Sequence, residues 1–240
     1  MVDFTNVLNL MEQTEEAPQS TIVFGDIHGL THWKKAVAEN PGCRYIFLGD
    51  YPDPYEYIEP KQLMDNLKEI IQLKKDRYDD VILLLGNHDL HYFSPHIEMS
   101  TRFDFAIEEE VRTLFLENLH LFAYAFQEGK RIFTHAGISE KWFCDDFKGD
   151  AEKNIAEQLN NPLSSQLSAL YRCGAVRGGV RGAVGGIFWA DIDELRKPLQ
   201  GYSQYVGHNR VGDIFEYTAN SGKITFCDCL YNVRYLKLDN

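Results

Sequence analysis

The sequence has no CxxC pair, and its five cysteines are an odd number. Cys43, Cys144 and Cys173 are scattered, and Cys227 and Cys229 flank Asp228. Neither a disulfide framework nor a cysteine zinc site fits that spacing, so free thiols in a reducing cytosol are expected. Basic residues are scarce: 24 Lys and Arg stand against 36 Asp and Glu, a formal charge of −12. A chain of that sign lacks the basic face that phosphate backbones require, which argues against non-specific nucleic-acid binding. No apolar run approaches the ~18 residues of a membrane span. Met1 to Gln19 has neither a basic start nor an apolar core of signal-peptide length. A soluble cytoplasmic protein with no nucleic-acid or membrane partner is expected. No internal repeat of useful period appears.

The 240 residues, 44% hydrophobic and 25% charged, suffice for one globular α/β or α+β domain over 20–240. An acidic arm over 1–19, ending Glu-Glu-Ala-Pro-Gln, precedes it. Thr31 is positioned to cap a helix through Glu39, and Pro60 opens a longer one to about Asp76 with Leu63, Leu67, Ile70 and Ile71 on one face. Phe103, Ile107, Val111, Leu114 and Phe115 carry helical spacing over 102–118, with the Glu108–Glu110 run on its solvated side. Leu121–Phe126 and Arg131–Thr134 read as a hairpin, and 150–171 as helix broken at Asn161-Pro162. Strands are expected at Tyr202–Gly207, Ile214–Thr218, Ile224–Asp228 and Tyr235–Leu238. The Gly- and Arg-rich run 173–186 reads as an ordered loop over a site, because Ile187-Phe188-Trp189 follows at once.

The most informative stretch is Val81-Ile82-Leu83-Leu84-Leu85-Gly86-Asn87-His88-Asp89. Five apolar residues make a strand buried on both faces. Gly86 lets the backbone turn, and an amide, an imidazole and a carboxylate follow at the strand's carboxyl end, where open α/β sheets place ligands. The same grammar recurs where Ile22–Gly25 meets Asp26-Ile27-His28-Gly29, and where Tyr45–Gly49 meets Asp50-Tyr51-Pro52-Asp53. It returns where Arg131–Thr134 meets His135-Ala136-Gly137, and where Tyr205–Gly207 meets His208. One Asp or His at a strand end is usually a cap or a turn; five such tips in one chain point to a shared site.

In that order, Asp-x-His-Gly, Gly-Asp-x-x-Asp, Gly-Asn-His-Asp, a lone His and Gly-His resemble the calcineurin-like metallophosphoesterases. The pattern covers residues from about 22 to 209. The resemblance implies a four-layer sandwich, two mixed sheets flanked by helices. It also implies two divalent metal ions per chain, manganese first, with iron, zinc, nickel or cobalt as alternatives. By it, Asp26 and His28 bind the first ion, Asp50 bridges, and Asn87, His135 and His208 complete the second site. A carboxylate bridge suits two cations roughly 3.5–4 Å apart that share a hydroxide and clamp a phosphoryl group. The i, i+2 spacing of Asp26 and His28 puts both on one side of an extended tip. His88 is then the general acid at the leaving oxygen, and Asp53 holds it.

The implied partner is a phosphorylated substrate, a phosphoprotein or small phosphomonoester, attacked in line by a metal-bridging hydroxide. Gly-Asn-His-Asp-Leu-His and His135-Ala-Gly-Ile also resemble symmetrical diadenosine tetraphosphate hydrolases, which makes a dinucleoside polyphosphate the second substrate class. A non-catalytic phospho-binding scaffold is the third reading. His32, His91, His96 and His120 fall outside the motif positions and read as structural, with His91 in part excepted by that same run.

The chain also departs from the pattern. Pro54 stands where the phosphoprotein phosphatase branch carries a phosphate-binding Arg, and proline offers no donor. Asp89 stands where that branch prefers Glu, and Arg210 where many other branches carry a second His. Arg177, Arg181 and Arg210 are the candidate replacement clamps, with Arg181 favoured for its place near Trp189 and Asp191.

Overall fold

The computed structural model describes residues 20–239, so the arm expected over 1–19 lies outside the described residues. Alternation along each apolar run decides the architecture. Strand β1 (Ser20–Phe24) turns Ile22 and Phe24 toward helices and Val23 toward a second sheet. Its parallel neighbours β2 (Arg44–Phe47) and β3 (Val81–Leu84) keep that register, with Val23 opposite Ile46 and Ile46 opposite Ile82. The two-residue β4 (Phe122–Ala123) pairs parallel to β3. The second sheet holds β5 (Ala125–Glu128), β6 (Arg131–Thr134), β7 (Ser203–Val206), β8 (Phe215–Ala219) and β9 (Gly222–Phe226), in the order β5-β6-β7-β9-β8. Strand β10 (Leu236–Asp239) closes the first sheet antiparallel to β1, so both five-stranded sheets are mixed.

Between the sheets, Val23, Ile46, Leu48 and Leu84 meet Phe133 and Tyr205, whose rings stack at 4.8 Å. Each such side chain contributes about 1.5–3 kcal/mol through burial, so this dry layer sets the distance between sheets and hence between their tips. On the outer face of the first sheet lie α1 (His32–Glu39) and α2 (Pro60–Asp76), the latter burying Leu63, Leu67, Ile70 and Ile71 as its periodicity requires. Thr31 makes no side-chain cap.

Two expected elements change at the point where tertiary packing overrides local pattern. The strand expected over Leu121–Phe126 is divided at Tyr124 between the two sheets, so the hairpin uses only Ala125–Glu128 against β6. The Asn160 amide pins that crossing. Its Oδ1 accepts from the backbone N–H groups of Tyr124 (2.8 Å) and Ala125 (3.1 Å), and its Nδ2 donates to the Ala125 carbonyl. The helix expected from residue 102 begins only at Glu108: after the one-turn α3 (Asn87–Leu90), α4 spans Glu108–Asn118. Phe103 is drawn out of it into a stack on Tyr92 at 4.6 Å, and Arg102 takes a left-handed φ of 63°. The acidic run then occupies the first turn of α4, where the helix dipole favours negative charge. The helical stretch 150–171 resolves into α5 (Ile155–Asn160) and α6 (Leu167–Leu170), interrupted around Pro162.

Candidate metal centre

The carboxyl ends of β1, β2, β3, β6 and β7 converge and deliver Asp26, Asp50, Asn87, His135 and His208 to one place. Convergence this close needs backbone without side chains between the tips. A Cβ on Gly86 would stand 2.1 Å from Asp50 Oδ1 and 2.7 Å from His135 Cε1. Gly86→Ala is therefore expected to displace both groups, costing about 1–3 kcal/mol of stability as overpacking does. Elemental analysis should show metal lost and calorimetry a lower Tm; a variant with wild-type metal content would contradict this packing. Strain gathers at the same tips. Of the nine non-glycine residues with positive φ among the described residues, five are His28, Asp50, Asp53, Arg102 and His208. Such backbone is costly and persists where surrounding contacts hold it for a purpose.

Asp89 supplies much of that hold. Its carboxylate accepts from the N–H groups of Asp50 (2.8 Å), Tyr51 (2.8 Å) and Gly86 (2.7 Å), tying the second and third tips together. The N–H of His88 donates to Asp50 Oδ1 (2.9 Å), and the N–H of His208 to Asp26 Oδ1 (2.8 Å). With Oδ1 so occupied, each aspartate turns Oδ2 inward.

Two cradles result. In one, His28 Nε2 lies 3.8 Å from Asp26 Oδ2 and 3.7 Å from Asp50 Oδ2. In the other, His135 Nε2 lies 3.5 Å from Asp50 Oδ2, 3.0 Å from Asn87 Oδ1 and 3.2 Å from His208 Nδ1. Asp50 Oδ2 faces both. His28 Nδ1 donates to the Pro52 carbonyl (2.9 Å) and His135 Nδ1 to the Leu48 carbonyl (2.8 Å). Their Nε2 atoms therefore point lone pairs inward, the tautomer a metal requires. Asn87 Nδ2 donates to Ser100 Oγ (2.7 Å), which leaves its Oδ1 facing the His135 lone pair, acceptor against acceptor. A cation between them would make that arrangement favourable, and carboxylate, amide and imidazole donors suit divalent ions.

The ionisation states say the same. Burial holds His135 down to about 3, and His28 and His208 well below the usual imidazole range, so all three are neutral. Burial, reinforced by neighbouring carboxylates, pushes Asp26 and Asp50 well above the usual carboxylate range, and Asp89 up to about 7. A carboxylate-rich pocket of this kind stays ionised when cations enter it.

Beside the cradles lies a cluster of different chemistry. His88 Nδ1 is 2.7 Å from Asp53 Oδ2, His91 Nε2 2.8 Å from that same oxygen, and the Tyr92 hydroxyl donates to Oδ1 (2.5 Å). These distances would admit an ion among Asp53, His88 and His91. However, His91 Nδ1 accepts from the Ser100 N–H (3.1 Å), which places its proton on Nε2, the ring nitrogen that faces Asp53. Burial raises the Asp53 carboxyl, but the bonds from His88, His91 and Tyr92 outweigh it and leave Asp53 below its usual value. Asp53 thus fixes the His88 ring with its proton on Nδ1 and Nε2 toward the cavity, and burial holds His88 below the usual imidazole range.

Of the arginines expected from sequence, Arg177 reaches the cavity of about 250 Å³ over the cradles, yet is paired with Asp191 (2.7 Å) and Asn209 (2.8 Å). Arg210 lies in a neighbouring cavity, over the rings of Tyr231 and Tyr55. Arg181 is exposed and lines neither. Sequence reasoning passed over Arg102, which does line the cradle cavity. Its Nε donates to the Asp53 carbonyl (3.1 Å), its terminal nitrogen is 3.3 Å from His88 Nε2, and its guanidinium covers Tyr55 at 3.9 Å. No periodicity or motif marks that position; His91 at least carried a hint in its spacing from His88.

Residues 20–217 match the family model of the calcineurin-like phosphoesterases. The chain belongs to that family, a class of metal-dependent hydrolases. A cold-active protein-tyrosine phosphatase of a psychrophilic Shewanella species has a similar fold, with TM-score 0.60 at 18% identity over 92% of this chain and 76% of that one. A protein serine/threonine phosphatase from Saccharomyces cerevisiae superimposes with TM-score 0.54 at 16% identity, over 89% and 68% of the two chains. No curated protein sequence matches.

Proposed function

We propose that this chain hydrolyses phosphomonoesters, on a phosphoprotein or a small phosphoester, with two divalent ions of which manganese is the first expectation. Asp26, His28 and Asp50 would hold one ion; Asp50, Asn87, His135 and His208 the other. When bound, the ions supply Lewis acidity toward phosphoryl oxygens and activation of water. The protein's own groups account for the rest. Arg102 offers a planar fork to two phosphoryl oxygens, filling the place left by Pro54. His88, its Nδ1–H directed to Asp53, presents Nε2 at the cavity; once Arg102 has turned its N–H groups from Nε2 to the phosphoryl oxygens, Nε2 would take up a proton and pass it to the departing oxygen. The observation that carries this reading is the meeting of Arg102 and His88 Nε2 at 3.3 Å on the rim of the cradles, because phosphoryl and leaving oxygens belong to one phosphorus.

Arg102→Ala is expected to lower kcat/KM for phosphate esters ~10²-fold and to weaken inhibition by inorganic phosphate, with metal content intact. Arg102→Lys should recover only part, since an ammonium cannot fork onto two oxygens. Arg181→Ala should change nothing. Unaltered phosphate inhibition in Arg102→Ala would remove Arg102 from this role. A panel of phosphopeptides, p-nitrophenyl phosphate, nucleotides and diadenosine tetraphosphate with Mn²⁺ tests the substrate class. Preference for diadenosine tetraphosphate would move the assignment to the dinucleoside polyphosphates. Metal binding with no turnover would make the chain a phospho-binding scaffold.

A further inference from the structure

After β9 the chain passes close behind the first tip. A Cβ on Gly25 would stand 2.7 Å from the Asp228 Cα, so the two loops are in contact and bring the Asp228 carboxyl against that of Asp26. Asp228 is 4% exposed, and its Oδ2 has no hydrogen-bond partner. It belongs to neither cradle: the inward atoms of Asp26, His28 and Asp50 gather without it. With Asp26, His28 and Arg210 it lines the neighbouring cavity of about 380 Å³. The cation on that side is Arg210, whose guanidinium lies 3.7 Å from the Tyr231 ring centroid and 4.5 Å from that of Tyr55. Among the described residues, Arg210 forms no ion pair within 4.0 Å, so it offsets Asp228 only from a distance.

A buried carboxylate with an unpartnered oxygen, set against a second buried carboxylate, weakens a fold by itself. Nothing in the reaction proposed above uses it. We propose that Asp228 is a positioning residue for the divalent ion held by Asp26 and His28. It adds negative charge behind Asp26, holds that carboxylate in its ligating orientation and raises the affinity of this ion alone, while Arg210 limits the gain. The inference rests on the metal reading of the cradles but not on the reaction assigned to them.

The test is calorimetric titration of the metal-free full-length chain with Mn²⁺, together with thermal melts with and without the ion. Asp228→Asn is expected to weaken one of the two Mn²⁺ binding events ~10–100-fold, the usual effect of losing a group behind a ligand. The other event should be unchanged, and His28→Ala should abolish the same event that Asp228→Asn weakens. Arg210→Gln should tighten it. Without metal, Asp228→Asn should melt higher than wild type, because the repulsion with Asp26 is gone, and should gain less from added Mn²⁺. A merely structural Asp228 would give the reverse, a lower Tm in the metal-free chain. That result, or two Mn²⁺ events that are unchanged or equally weakened, overturns the proposal. A wild-type chain that binds no Mn²⁺ overturns the metal reading along with it, which keeps the two failures distinct.

Discussion

Asp50→Asn is expected to strip the protein of most of its divalent metal, more than either His28→Ala or Asn87→Ala. The reason is geometric. Asp50 Oδ2 lies 3.7 Å from His28 Nε2 and 3.5 Å from His135 Nε2, so one oxygen serves both cradles, whereas His28 and Asn87 each serve one. An amide cannot supply the charge that offsets two cations at short separation. Asp50 Oδ1 meanwhile accepts from the His88 N–H, so the substitution also loosens the third strand tip. Elemental analysis of the purified variants decides the matter. Wild-type metal content in Asp50→Asn would remove it as the bridge.

His88→Ala should behave in the opposite way, keeping its metal and losing turnover. A positioned acid is worth ~10²–10⁴-fold in rate, and none of the inward-facing cradle atoms belongs to the His88 ring. The loss should depend on the leaving group: small for p-nitrophenyl phosphate, whose phenolate departs without a proton, and large for an alkyl phosphate. Asp53→Asn should show the same pattern in milder form, because its carboxylate orients His88 through the 2.7 Å contact without touching substrate. Equal losses on both esters would count against His88 as the acid, whatever their size.

Residues far apart in the chain had to be carried together for Arg102 to matter, and that explains why it was illegible. Its position depends on Phe103 stacking on Tyr92, which pulls the segment out of the helix its spacing announces, and on a left-handed backbone no pattern encodes. Nearness in sequence to Trp189 and Asp191 points to Arg181, whereas in the fold that residue is exposed and lines neither cavity. The crossing at Tyr124 was hidden for a related reason. An apolar run says that a strand is buried but not in which sheet, and Asn160, 36 residues away, settles that.

By contrast, the sequence alone determined the strand tips and the polar residues they carry, because each tip is local: an apolar run followed at once by a carboxylate, an amide or an imidazole. It also determined the long helix from Pro60 and the mixed α/β character, since burial periodicity is a property of neighbours in the chain. What the tertiary structure decided was everything measured across chain-distant pairs. Those are the sharing of Asp50 Oδ2 between cradles, the tautomers set by the Leu48 and Pro52 carbonyls, and the hydrogen bonds of His88 and Tyr92 to Asp53. The placing of Arg102 and Asp228 belongs with them. The physical reason is that ligand identity is written residue by residue, whereas charge balance and proton position depend on distances that exist only once the two sheets have packed.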